Sequence, residues 1–159
     1  HDRLLRPLVY AYTDSGHPDH NETISFDWDN DRAHDIRGGK EKLIPIAPGM
    51  LDRLTAQLEI SRELAAGVPL TEPYLVVKGG EINAYHLRRD GQKKIDTPTG
   101  RFDTTVVVRE DPDSHSTTVF WLAPQYRWLP VKIEQREPGE ATYSFVLTHL
   151  QWLKQDGKP

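Results

Sequence analysis

The chain has 159 residues, 36% hydrophobic and 28% charged, which suits one globular domain able to bury a core without metals or disulfides. A formal net charge of -4, with cations dispersed in pairs such as Arg88-Arg89 and Lys93-Lys94, excludes the basic stripe of a nucleic-acid binder. Absence of cysteine excludes thiolate catalysis and disulfide scaffolding and fits an oxidising compartment, and no apolar run approaches the ~20 residues of a membrane helix.

The chain begins at His1 rather than Met, so an upstream segment, such as a signal peptide, is expected to have been removed. From there most segments alternate with period two, which predicts strands with one dry and one wet face. Strands are expected near 3–13, 22–29, 32–37, 41–46, 73–78, 82–89, 92–96, 101–110, 116–122, 128–136 and 141–151. Ile24, Phe26 and Trp28 share one face, Asp27 and Asp29 the other. Leu129, Val131 and Ile133 lie opposite Lys132, Glu134 and Arg136. Asn30-Asp31, Asp90-Gly91, Pro112-Asp113 and Pro138-Gly139 are read as hairpin turns, which makes neighbouring strands antiparallel.

From Gly49 to Ala66 the period becomes helical. Leu51, Leu54, Leu58 and Ala65 fall on one stripe, widened by Met50, Ile60 and Leu64, with Asp52, Thr55, Glu59, Arg62 and Glu63 on the opposite arc. Gly67 stands where a left-handed cap belongs, and Pro69 blocks continuation. So wide an apolar arc predicts a helix cradled by a concave sheet. The expected fold is a single α+β domain over 1–159: a strongly curved, mainly antiparallel sheet, a half-open barrel, wrapped around one principal helix.

Few residues suggest chemistry. Asp14-Ser15-Gly16-His17-Pro18-Asp19-His20 collects metal-ligand types, but Gly16 and Pro18 make it first a loop. Structural sites want four well-placed ligands, so no metal and no cofactor is assigned. His34, His86, His115 and His149 are scattered over different strands. Asp103 would need a carboxylate partner such as Glu134 or Glu81 to act catalytically. No serine has the flanking glycines of a nucleophile elbow, and Gly38-Gly39-Lys40 and Gly79-Gly80 lack the helix start of a phosphate-binding loop. Both glycine pairs are read as turns. Among the aromatics, Trp28, Trp121, Trp152 and most tyrosines suit a core. Tyr126 and Trp128 lie instead in the loop Pro124-Gln125-Tyr126-Arg127-Trp128, where rim aromatics beside Arg127 suit stacking on a sugar or an amphipathic ligand.

The order Arg6-Pro7-Leu8-x-Tyr10-x-Tyr12, Phe26-Asp27-Trp28, Pro48-Gly49-Met50-Leu51-Asp52-Arg53-Leu54 covers the first part of a resemblance. Thr97-Pro98-Thr99-Gly100-x-Phe102-Asp103, Trp121-Leu122-Ala123-Pro124 and Leu129-Pro130-Val131-x-Ile133-Glu134-Gln135 complete it. On these residues the chain resembles an exported bacterial family, the domain of unknown function 3108, over nearly its whole length. The resemblance implies a periplasmic or envelope protein with no settled activity, and a half-open barrel similar to that of envelope lipoprotein carriers. It also implies further strands and a signal peptide ahead of Arg6, whose loss would leave an unprotected sheet edge.

The expectation is therefore a non-enzymatic envelope protein binding an apolar or amphipathic ligand, such as a lipid, between helix and sheet. Leu51, Leu54, Leu58, Trp121, Tyr126, Arg127 and Trp128 would line or border the site. The alternative is envelope polysaccharide (glycan) binding or processing through the rim aromatics.

Overall fold

In the computed structural model, which describes residues 5–70, 73–111, 115–139 and 141–151, period-two alternation resolves into two sheets of antiparallel neighbours. The strands are β1 Val9–Tyr12, β2 Glu22–Asp27, β3 Arg32–Arg37, β4 Lys40–Pro45, β5 Tyr74–Lys78, β6 Glu81–Thr97, β7 Gly100–Glu110, β8 Thr117–Ala123, β9 Leu129–Arg136 and β10 Tyr143–Val146. The helix, α1, spans Arg53–Ala65. One sheet has the order β1-β2-β3-β4 and the other β10-β9-β8-β7-β6-β5; neither closes into a barrel. The chain divides into two compact units, His1–Leu87 and Arg88–Pro159, with the division falling inside β6. The Pro112-Asp113 turn and Trp152 lie outside the described residues.

In the first unit, cross-strand register places Ile24, Ala33 and Ile44 on one face, where they pack with Phe26, Ile46 and Val77. Half-buried Tyr10, Trp28 and Met50 close this cluster. Trp28 stacks on Phe26, and its indole N–H donates to the Pro7 carbonyl at 2.8 Å, so the polar tip of a largely apolar side chain is satisfied. The Asn30-Asp31 turn is as expected, with Asp31 left-handed at φ 51°.

The helix differs from expectation in length and in phase. It starts at Arg53, not Gly49, because Leu51 is extended: its N–H donates to the Leu75 carbonyl at 2.9 Å and its own carbonyl accepts from Val77 at 2.8 Å. A stripe phased from Leu51 therefore selects the wrong face. The buried row is Ala56, Ile60 and Leu64, four residues apart, with Glu59 beside it, whereas Leu54 and Leu58 are 63% and 57% exposed. Asp52 caps the N-terminus, its Oδ1 accepting from Leu54 N–H at 2.7 Å and Thr55 N–H at 2.8 Å and its Oδ2 from the Thr55 hydroxyl at 2.6 Å. At the other end Gly67 adopts φ 72° and Val68 N–H donates to the Glu63 carbonyl, a six-to-one closure that only a left-handed residue permits cheaply. Because Asp52 is buried and makes three bonds, Asp52→Ala is expected to cost about 2 kcal/mol in a urea melt, the upper end for a cap.

In the second unit the meander is tighter than expected at one place and looser at another. Asp90-Gly91 is not a hairpin turn. Gly91, at φ 92°, absorbs a kink while β6 continues to Thr97, and the chain reverses at Thr97-Pro98-Thr99-Gly100 instead. The side chains confirm this second reversal: Arg101 binds Asp96 at 2.8 Å and Thr104 donates to the Lys93 carbonyl at 2.6 Å. Phe102, Val106, Val108, Val119, Trp121, Ala123 and Val131 make the core. A bulge breaks the strict alternation expected of β9, since Trp121 pairs with Lys132 but Leu122 with Pro130. Val131 is the extra residue, fully buried, and Lys132 is carried onto the Trp121 ring with its ammonium 4.8 Å from the centroid.

Candidate functional site

The extended Leu51 segment and the helix that follows it leave a groove beside β5 in the first unit. It has a volume of about 360 Å³, at the small end for ligand sites. Pro48, Leu51, Val68, Pro69 and Leu75 form its apolar walls. Its polar side comes from Glu59, Glu63 and Tyr74. Glu59 bonds Arg62, and the Tyr74 hydroxyl donates to Glu63. Burial, reinforced by the Glu63 carboxylate, raises the Tyr74 pKa, so the phenol stays a donor. An apolar trough with carboxylates on one wall can take a small amphipathic molecule whose polar end donates hydrogen bonds.

Of the leucines expected at a ligand site, Leu51 lines this groove, whereas Leu54 and Leu58 are on the exposed face of α1. Trp121, Tyr126, Arg127 and Trp128 belong to the second unit. Trp121 is 6% exposed and its indole Nε1 has no hydrogen-bond partner among the described residues. Tyr126 meets Phe102 edge-on at 5.4 Å. The loop between β8 and β9 is a 3-10 turn over Pro124–Tyr126 followed by two left-handed residues, Arg127 at φ 56° and Trp128 at φ 61°. Consecutive left-handed side-chain-bearing residues store about 1–3 kcal/mol each.

Among the described residues, Asp103, Glu134 and His34 are each held in a separate ion pair. Asp103 is exposed and bound to Lys94 at 2.6 Å. Glu134 is held by Lys132 and Arg136 at 2.6 and 2.7 Å, and these hydrogen bonds lower its pKa. His34 bonds Glu41 at 3.0 Å. In contrast, Asp14, His17 and His20 are brought together at the β1–β2 connection.

One polar cluster has no counterpart among the sequence candidates. Glu22 and Asp35, on adjacent strands β2 and β3, are 3% and 1% exposed. Gly79 N–H donates to Glu22 at 2.5 Å and Gly80 N–H to Asp35 at 2.6 Å, so two buried carboxyls grip the turn between β5 and β6. Arg53 reaches from the first turn of α1 to Glu22 at 3.1 Å, and its guanidinium lies 5.2 Å from the ring centroids of both Tyr10 and Tyr12. Arg37 and Lys42 overlie the glycine pair, where a Cβ on Gly80 would collide with the Lys42 side chain. Beyond them opens a cleft of about 520 Å³ that Lys40 also lines. Burial raises the Asp35 pKa, Gly80 N–H opposes it, and the Glu22 charge adds to it. The sequence did hold a signal: Glu22 is in phase with Ile24 and Phe26, and Asp35 with Ala33, so two acids occupy the dry face.

The family model described as Protein of unknown function (DUF3108) matches residues 1–146 of the chain. No curated protein and no solved structure matches it.

Proposed function

The chain belongs to the family described as Protein of unknown function (DUF3108), and on that premise we propose a non-enzymatic protein of the bacterial periplasm or cell envelope that holds a small amphipathic ligand. The groove between the Leu51 segment, α1 and β5 carries this reading: its walls are apolar and its polar side is acidic. A medium-chain amine fits both halves, the alkyl chain against Leu51 and Leu75 and the ammonium towards Glu59 and Glu63. The half-open barrel belongs to the same reading, with the strands of the first unit curving about α1.

Titration with dodecylamine and with laurate, followed by amide chemical shifts, tests the groove. Shifts concentrated at Leu51, Tyr74 and Leu75, with the amine about tenfold tighter (about 1.4 kcal/mol), are expected. Equal, diffuse shifts with both amphiphiles would remove the reading.

Envelope glycan binding is the second reading, and the left-handed Arg127 and Trp128 favour it, since backbone strain concentrates where a loop holds a ligand. Affinity electrophoresis through soluble polysaccharides separates the two readings. Retardation abolished by Trp128→Gly selects the glycan, and unretarded migration selects the groove.

A further inference from the structure

We propose that the β1–β2 connection is a binding site for one divalent transition-metal ion of the zinc class, held by Asp14, His17 and His20. One ligand atom from each lies within 4.8 Å of the others. Ligands bound 2.0–2.1 Å from a tetrahedral zinc lie about 3.4 Å apart, so closing the site moves the ligand atoms by about 1.5 Å or less relative to one another. His17 and His20 are 68% and 50% exposed at their side chains, and rotation about their own bonds supplies that movement.

The spacing of the two histidines has a cause. Pro18–His20 is a 3-10 turn with His17 at its N-cap, closed by His20 N–H to the His17 carbonyl at 2.9 Å. Side chains three apart eclipse in that geometry, and the two imidazoles accordingly stack with centroids 5.3 Å apart. Asp14 divides its oxygens: Oδ1 accepts from Gly16 N–H at 2.8 Å and His17 N–H at 3.2 Å, while Oδ2 faces His17 Nδ1 at 3.4 Å. One oxygen therefore shapes the loop and the other is directed at the imidazole. Asn21 ties the ends together, accepting from Asp14 N–H through its side chain at 2.7 Å and from Gly38 N–H through its carbonyl at 3.1 Å. Asp19 Oδ2 stands 3.6 Å from His20 Nε2, the place of a carboxylate that orients a ligating imidazole. Two imidazoles and one carboxylate favour zinc, nickel or copper over magnesium or calcium, and three protein ligands leave a coordination position open.

Calorimetry of the full chain with Zn²⁺ alone, paired with long-range ¹H–¹⁵N spectra of the histidine rings, tests the site. One-to-one saturation is expected, with the His17 and His20 rings shifting and those of His34, His86, His115 and His149 unmoved. His17→Ala and His20→Ala should each remove the saturable heat, and Asp19→Asn should weaken binding on the order of tenfold. Asp14→Asn keeps an oxygen for the two loop N–H groups, so it should weaken binding with the fold intact. All these side chains are at the surface, and an unchanged thermal midpoint verifies that each variant is folded. Absence of saturable heat with zinc, nickel and copper overturns the proposal. Saturation undiminished in the His17→Ala/His20→Ala double variant does so equally.

Discussion

Glu22→Ala is expected to lower the stability of the protein by about 2–3 kcal/mol, the cost of leaving the hydrogen-bond partners of a buried carboxylate unsatisfied. Two groups depend on that carboxylate, and through one of them so does a contact between elements. Gly79 N–H loses its acceptor, the Arg53 guanidinium loses its anion, and the contact between α1 and β2 that Arg53 supplies is broken. Asp35→Asn is the informative contrast. An amide oxygen can still accept from Gly80 N–H, and an amide N–H can donate to Glu22 where two carboxyls otherwise compete. That variant is expected to be within about 1 kcal/mol of the wild type at neutral pH or more stable, because it replaces a group whose ionised form is destabilised by burial.

The same pair sets a pH dependence whose sign follows from the shift. Asp35 has a folded pKa raised above its ordinary value of 3.8, so between 3.8 and the higher folded value the native chain keeps a proton that the unfolded chain has released. Unfolding loses a proton in that window, and the contribution of this group to stability therefore falls as pH rises through it. Below the window the contribution is fully present. The urea midpoint of the wild type relative to that of Asp35→Asn, measured from acid to neutral pH, should decline through the window. A wild-type midpoint that climbs throughout, with Asp35→Asn unchanged in slope, contradicts this assignment.

Trp121→Ala is expected to cost about 3–5 kcal/mol, the usual range for emptying a buried indole site. Trp121 sits in the core of the second unit with Phe102, Val106, Val119 and Val131 against it. Trp121→Phe separates packing from polarity. Since Nε1 has no hydrogen-bond partner among the described residues, its removal abolishes an unsatisfied buried donor, while the smaller ring keeps much of the contact beneath Lys132. The phenylalanine variant should recover most of the loss in a denaturant melt. A Trp121→Ala variant as stable as the wild type would show that the residue is not core and would return it to the ligand-site candidates.

These effects also explain what could be read from residues alone. Alternation in β2 and β3 and the helix stop at Gly67 are local, and local physics sufficed for them. The phase of α1 was not local. It depends on Leu51 exchanging backbone hydrogen bonds with β5, more than twenty positions away in the chain, and that bond pattern shifts the helix start and turns Leu54 and Leu58 outward. Gly91 misled for a related reason: a left-handed glycine serves a kink as well as a reversal, and only pairing with the next strand decides which. The carboxyl pair was visible as two acids in the dry phase, but its partners, the N–H groups of Gly79 and Gly80, carry no side-chain signature. Likewise the histidine spacing was plain, whereas the 3-10 turn that makes spacing into proximity was not.

Native mass spectrometry of the protein purified from a bacterial envelope tests the ligand groove most directly. A bound mass of a small amphiphile is predicted, displaced by dodecylamine and absent from Val68→Lys, which sets a cation against the apolar wall, repelling an ammonium head, while changing a half-exposed side chain. A bare mass for the wild type, together with no uptake of dodecylamine, would contradict it.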